Sequence, residues 1–223
     1  MRTGGDILIA KNKVAKKAYF IKFCGKKFKV LPNVFSPKFF LDPKFFVENM
    51  PSQKNKEFLE IDCGTGVMSV NIALKGAKRV VAVDINATAV KNTLENARLY
   101  KVANKIQAFK SDVFSALNKN AKFDSIYWNV PFGQVKKRRL SLLERALYDP
   151  AYIYLKKFIF KAPKFLKKNG KLLIGFSSSI GDADKMFTFL KQAGFKWKIL
   201  ASASFAKGNP NGSVRFDLLE ARL

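Results

Sequence analysis

Seven consecutive residues, Glu60-Ile61-Asp62-Cys63-Gly64-Thr65-Gly66, restrict the possible folds more than any other feature of the chain. They stand between an apolar run, Phe58-Leu59-Glu60-Ile61, and a segment from Gly66 to Lys75 in which Val67, Val70, Ile72 and Leu74 are apolar. The run reads as a short buried strand and the segment as a helix stopped by Gly76. Glycines in the connection let backbone amides approach a ligand, and the helix N-terminus behind them favours a negative group. A strand that enters a helix through such a turn is the opening unit of a layered α/β fold.

The unit repeats. Arg79-Val80-Val81-Ala82-Val83 is a second strand, nearly all β-branched. Asn86 is placed to cap a helix from Ala87 to Tyr100, whose Val90, Leu94 and Ala97 share one face. Lys105 to Phe109 and Asp124 to Trp128 read as strands three and four. Helical segments are expected from Leu142 to Lys168, broken at Asp149-Pro150 and bent at Pro163. Asn169-Gly170 then turns into strand five, Lys171 to Phe176, and a helix from Ala183 to Ala193 ends at Gly194. Trp197 to Leu200 and Val214 to Leu219 are late strands, joined by a Gly/Asn/Pro loop that suits a hairpin. Alternating strands and helices imply a mostly parallel sheet covered on both faces, and the last pair adds one antiparallel strand near the C-terminus. The expected fold is α/β, Rossmann-like and doubly wound, with seven strands.

Ligands of such sheets bind at the carboxyl ends of the strands, where the strand order reverses. Asp62, Asp84, Asp112 and Asn129 each follow, or lie within a few residues of, an expected strand end. Asp84 is placed to accept both hydroxyls of a ribose. Its competing role is a favourable charge at the next helix N-terminus, worth a few tenths of a kcal/mol, roughly. Asp112 can accept from an adenine amino group while Ile85 and Val113 sandwich the ring. The dinucleotide fingerprint is incomplete, because Ser69 stands where its third glycine or alanine would be.

Asn129-Val130-Pro131-Phe132 points to the reaction. An amino group on a flat carbonyl or ring has a delocalised lone pair and is a poor nucleophile. Two acceptors that grip its hydrogens help the nitrogen become tetrahedral and stabilise the positive charge that develops there. The Asn129 side-chain oxygen and the Val130 carbonyl are suitable acceptors. Pro131 biases Val130 towards an extended backbone, and Phe132 offers a face on which a flat group can stack. The chain has no histidine, which removes imidazole bases, His-based triads and His metal sites together.

The ordered series Glu60, Gly64-Thr65-Gly66, Asp84, Asp112 and Asn129 to Phe132 resembles the class I S-adenosylmethionine-dependent methyltransferases. It is similar in particular to the small-domain group with an Asn-Pro-Pro-Phe/Tyr motif. That group includes glutamine amide methyltransferases of release factors and exocyclic-amine methyltransferases of ribosomal RNA and DNA. The resemblance covers roughly Val34 to the C-terminus. It implies S-adenosylmethionine as cofactor, with Glu60, Gly64 and Gly66 at its methionine part, Asp84 at the ribose, and Asp112, Ile85 and Val113 at the adenine. Asn129, Val130, Pro131 and Phe132 would hold the methyl acceptor. Asp62 stands where the family has its first glycine and brings a carboxylate beside the cofactor's own charges. Val130 replaces the motif's first proline.

Charge bears on the partner. Forty-two Lys and Arg residues stand against 16 Asp and Glu, a net charge of +26. Such an excess suits a polyanion, since cationic patches gain from phosphate neutralisation and counterion release. Compositional bias towards lysine is the plainer alternative. Lys136-Lys137-Arg138-Arg139 directly follows the acceptor motif and is a candidate nucleic-acid contact. Residues 1–35 are expected to form a short basic hairpin extension, with Cys24-Gly25-Lys26 at the turn, ahead of a methyltransferase domain over 36–223. Lys16, Lys17, Lys22, Lys26, Lys27 and Lys29 interleave there with Phe20, Phe23 and Phe28, a mixture that suits single-stranded nucleic acid. The expected activity is methyl transfer to a planar amide or exocyclic amine nitrogen, first in RNA or a ribosomal particle. The alternatives are a protein glutamine amide, or a nucleic-acid-binding module that kept the fold without catalysis. No membrane span, signal peptide or metal site is expected, and two unspaced cysteines suit a reducing, cytoplasmic compartment.

Overall fold

The repeating strand–helix pattern produces a seven-stranded sheet with a separate two-stranded hairpin laid against it. The computed structural model describes residues 9–10, 14–135, 139–205 and 213–223. The hairpin is β1 (Tyr19–Phe23) and β2 (Lys26–Val30). The large sheet contains β3 (Glu57–Ile61), β4 (Arg79–Asp84), β5 (Ile106–Lys110), β6 (Phe123–Asn129), β7 (Leu166–Phe176), β8 (Lys196–Phe205) and β9 (Val214–Arg222). Their order is β5-β4-β3-β6-β7-β9-β8. Pairing is parallel from β5 to β7, and β9 runs antiparallel to both β7 and β8. The strand order therefore reverses between β3 and β6, which puts Glu60-Ile61-Asp62 beside Asn129 at the carboxyl ends of two central strands.

The helices are α1 (Asp42–Asn49), α2 (Val67–Leu74), α3 (Ala87–Leu99), α4 (Leu142–Arg145), α5 (Ile153–Lys161) and α6 (Ala183–Gln192). Asn86 caps α3 by accepting from the Thr88 amide at 2.9 Å, an arrangement worth about 1 kcal/mol. The two sheet faces each bury their own apolar cluster. Trp128, Phe158, Phe114 and Phe165 lie on one side, and Phe58, Tyr127, Phe46 and Phe28 on the other.

Three expectations need correction. Leu166 to Lys168 are strand, not helix: the helical segment ends in a 3-10 turn, Ala162–Phe165, and Leu166 already pairs with Phe123. Asn169-Gly170 is then a bulge inside β7 and not a turn before it. Asn169 has a φ of 63°, and the pairing slips between Phe123 and Ser125. The late strands run well past the expected apolar runs, because their antiparallel pairing extends from Lys196 opposite Arg222 to Phe205 opposite Val214. The loop between β8 and β9 falls at 206–212, outside the described residues.

The hairpin is bolted to α3. Phe23 and Phe28 are buried in the core, so of the three hairpin phenylalanines only Phe20 is exposed, with the Lys27 ammonium 4.4 Å from its ring centroid. Apolar rings that alternate with lysines on a strand point inward while the lysines point out. Asn92 and Asn96, one turn apart on α3, replace a strand neighbour for β2. They accept from the Leu31 and Lys29 amides at 2.8 and 2.9 Å, and both donate to the Lys29 carbonyl at 2.8 Å.

Candidate active site

At the reversal point the connections after β3, β4, β5 and β6 wall a cavity. Glu60, Asp62, Gly64, Asp84, Ile85, Asp112, Val113, Asn129 and Pro131 line it, joined by Phe35, Met68, Leu143, Arg145 and Tyr154. Gly66, Val130 and Phe132 do not. Gly66 serves the turn: it has a φ of 78°, and a Cβ there would lie 2.9 Å from the Thr93 backbone of α3. The Val130 side chain is in the core. The Phe132 ring packs between Phe176 and Phe216, at 6.2 and 6.1 Å between centroids, beside the cavity wall. Lys136, Lys137 and Arg138 lie outside the described residues, while Arg139 is exposed.

The β3–β5 side of the cavity is a cluster of carboxyl groups. Asp84 accepts from the Gly64 and Asn86 amides at 2.9 and 2.8 Å, one on each oxygen, which ties the glycine turn to the end of β4. Burial pushes Asp84 up to about 6, against those two bonds. Glu60 is buried and pushed up to about 8, mainly by burial. Its Oε2 takes a very short hydrogen bond from the Ser69 hydroxyl, so the residue that breaks the dinucleotide fingerprint is Glu60's partner. Asp62 sits in the left-handed region at φ 54°, a conformation aspartate tolerates. Burial raises its carboxyl well above the ordinary range, and Asp84 raises it further. The Trp128 indole N–H opposes this, without making a hydrogen bond of ordinary geometry. Lys157 holds one oxygen of Asp112 at 2.7 Å, which orients that carboxylate for its other oxygen to be used.

The β6 side is built differently. Asn129 donates from Nδ2 to Oδ2 of Asp42 at 2.6 Å. Its Oδ1 is buried and has no hydrogen-bond partner among the described residues. Asp42 is at the start of α1, 87 positions away in sequence, and was not among the expected site residues. Arg145, stacked on Tyr154 at 4.5 Å, is the cationic group on this cavity wall among the described residues.

S-adenosylmethionine fits what is present. A Cβ on Gly64 would meet no atom within 4 Å, so the turn leaves open space beside its backbone. A carboxyl cluster with raised affinity for protons is a cluster waiting for positive charge, and the cofactor carries an ammonium and a sulfonium. Asp84 retains lone pairs for ribose hydroxyls, and Ile85 and Val113 line the adjoining wall.

A reversal-point cavity of this kind, on this strand order, defines the Rossmann-like methyltransferase class. The chain belongs to the methyltransferase small domain family, which it matches over residues 25–198. A Methanocaldococcus jannaschii relative, named "Putative protein N5-glutamine methyltransferase MJ0928", is 37% identical over 81% of this chain and 90% of its own length. The "Ribosomal RNA small subunit methyltransferase C" of Buchnera aphidicola is 33% identical over 74% of this chain, but the match covers 46% of that protein. Among solved structures, the T. thermophilus 16S rRNA N2 G1207 methyltransferase in complex with AdoMet and guanosine has a TM-score of 0.64 at 22% identity. That match covers 92% of this chain and 50% of the other. The protein is a methyltransferase, and its methyl donor is S-adenosylmethionine. No helix among the described residues is long and apolar enough to cross a membrane.

Proposed function

We propose that the chain methylates the side-chain amide nitrogen of a glutamine in a protein substrate. The observation that carries the reading is the Asn129 oxygen, unpartnered beside the carboxyl cluster, with the other end of the amide held by Asp42. The bound cofactor supplies a methyl group activated by a positive sulfur. Asn129 Oδ1 accepts one N–H group of the substrate amide, and the second is assigned to the carbonyl of Val130, which adjoins the lining residues Asn129 and Pro131 without itself lining the cavity. Their partial negative charges favour the pyramidal nitrogen and stabilise the positive charge that grows on it as the methyl group arrives, until one of its two protons is lost to solvent. Asp84 and Asp112 hold the cofactor's ribose and adenine, and Glu60 and Asp62 face its charged methionine part.

Two observations favour glutamine over a base. Phe132 is half-buried, in edge and tilted contact with Phe176 and Phe216, and does not line the cavity, whereas a purine needs a ring face presented in the pocket. A primary amide on a flexible side chain needs only the two acceptors. The M. jannaschii relative, matched over nearly its whole length, is named for this modification.

The second reading, an exocyclic amine in RNA or a ribosomal particle, has the net charge of +26 in its favour. Exposed Lys16, Lys17, Lys22 and Lys27 would then carry the backbone contacts. The free cysteines, Cys24 and Cys63, accord with a reducing cytoplasmic setting for either substrate.

The test is incubation with methyl-labelled S-adenosylmethionine and whole-cell extract. The glutamine reading expects label that survives nuclease and is lost with protease, recovered as N5-methylglutamine after digestion. Label that is lost with nuclease and survives protease would replace it with the RNA reading.

A further inference from the structure

An asparagine clamp works in one orientation only. With its oxygen towards the substrate it accepts an N–H; turned over, it presents N–H against N–H and repels it. Bond rotation about the side chain exchanges the two, so something must choose. We propose that Asp42 is the positioning residue that fixes Asn129 with its oxygen towards the methyl acceptor. This inference rests on the reading of Asn129 as an acceptor clamp.

The geometry of the pair is selective. An ionised carboxylate can only accept, so Asp42 can bind the Nδ2 end of the amide and never the Oδ1 end. It does so at 2.6 Å, a short bond of the charge-assisted kind. Oδ1 is thereby directed elsewhere, and it is buried without a partner among the described residues. Asp42 is itself only 5% exposed. Among the described residues no lysine or arginine pairs with it, in a chain with 42 such residues. A buried carboxylate without a cation opposes folding, and what it provides here is the orientation of one amide. Its place on α1 ties that orientation to a helix that packs against α2 and β9.

The pair has a built-in pH limit. The titratable group facing Asp42 from β6 is Tyr127, whose phenol is raised by burial and by Glu60 and Asp42. Burial pushes Asp42 up to about 6, and the Asn129 bond opposes the rise. Above that pH the carboxylate holds Nδ2. Below it, the protonated acid can donate to Oδ1, and the amide is free to turn over.

Two readouts test this on the full chain. In the first, the Asn129 side-chain amide is followed by NMR in 15N-labelled protein and assigned from the spectrum of Asn129→Ser. The wild type is expected to show the Nδ2 protons moving with a midpoint near pH 6, and Asp42→Asn to show no such movement. In the second, kcat at saturating cofactor is measured against pH. Wild type should lose activity below about pH 6; Asp42→Asn should lack that acid limb and run on the order of 10²-fold slower on its plateau, with cofactor KM unchanged within about threefold. An Asn129 amide that does not titrate would overturn the proposal even if the variant failed to fold. So would an Asp42→Asn enzyme with wild-type kcat and pH profile. If the protein transferred no methyl to any amide, the glutamine reading would fall while the NMR titration still judged the Asp42–Asn129 pair.

Discussion

The two sides of the cavity differ in what they offer a ligand. The connections after β3, β4 and β5 bring Glu60, Asp62, Asp84 and Asp112 together, and burial raises the first three above the ordinary carboxyl range. The end of β6 brings a neutral amide, Asn129, with one buried acid behind it. In the proposed reaction the difference matches the two reactants. A cofactor with two positive groups is met by carboxyls that gain from cation, while a neutral N–H₂ is met by oriented dipoles that act as its charge develops.

That contrast predicts separable losses. Asn129→Ala should reduce methyl transfer by about 10²- to 10³-fold, the scale for deleting one preorganised polar group, while cofactor affinity by calorimetry stays within about tenfold. Joint loss of both would mean that the two sides are one cofactor site. Asp84→Asn should act the other way, weakening cofactor binding by roughly 10- to 100-fold, the scale of a lost hydrogen bond to a charged group. Its kcat at saturating cofactor should stay near wild type; a kcat defect with unchanged affinity would remove Asp84 from the cofactor half.

The smallest expected effect concerns stability. Glu60 is raised to about 8 and Asp84 and Asp42 to about 6, from ordinary values near 4. A carboxyl whose folded pKa is raised contributes stability below its unfolded pKa, and that contribution is lost as pH rises through the folded value. The window therefore runs from about pH 4 to about pH 8. Without cofactor, Tm should fall by a few degrees between pH 5.5 and 8.5 in moderate salt, and saturating cofactor should flatten the slope. A Tm that rises across this range without cofactor would contradict the assigned shifts.

The cavity lining was largely legible in the sequence, because a polar residue at the end of an apolar run in an α/β repeat has a place fixed by topology. Asp84 and Asn129 are found that way. Ser69 was visible only as a failed glycine position, since its bond to Glu60 needs the helix to fold back over β3. Asp42 had no local signal beyond a Leu-Asp-Pro helix start. Its partner arrives from 87 positions away, at the far side of the strand reversal. Asn92 and Asn96 likewise carried no local signal, and the docked hairpin shows why two asparagines are buried there. Phe23 and Phe28 looked like stacking residues because their alternation with lysine was read for charge; the same alternation put them in the core.

The most direct measurement of the central claim is calorimetry of S-adenosylmethionine binding at pH 6.5, repeated in two buffers of different ionisation enthalpy. Binding of a positive ligand among carboxyls with raised pKa values should lower those values and release protons. The account predicts saturable binding with net proton release to the buffer. Proton uptake, or no binding at millimolar cofactor, would contradict it.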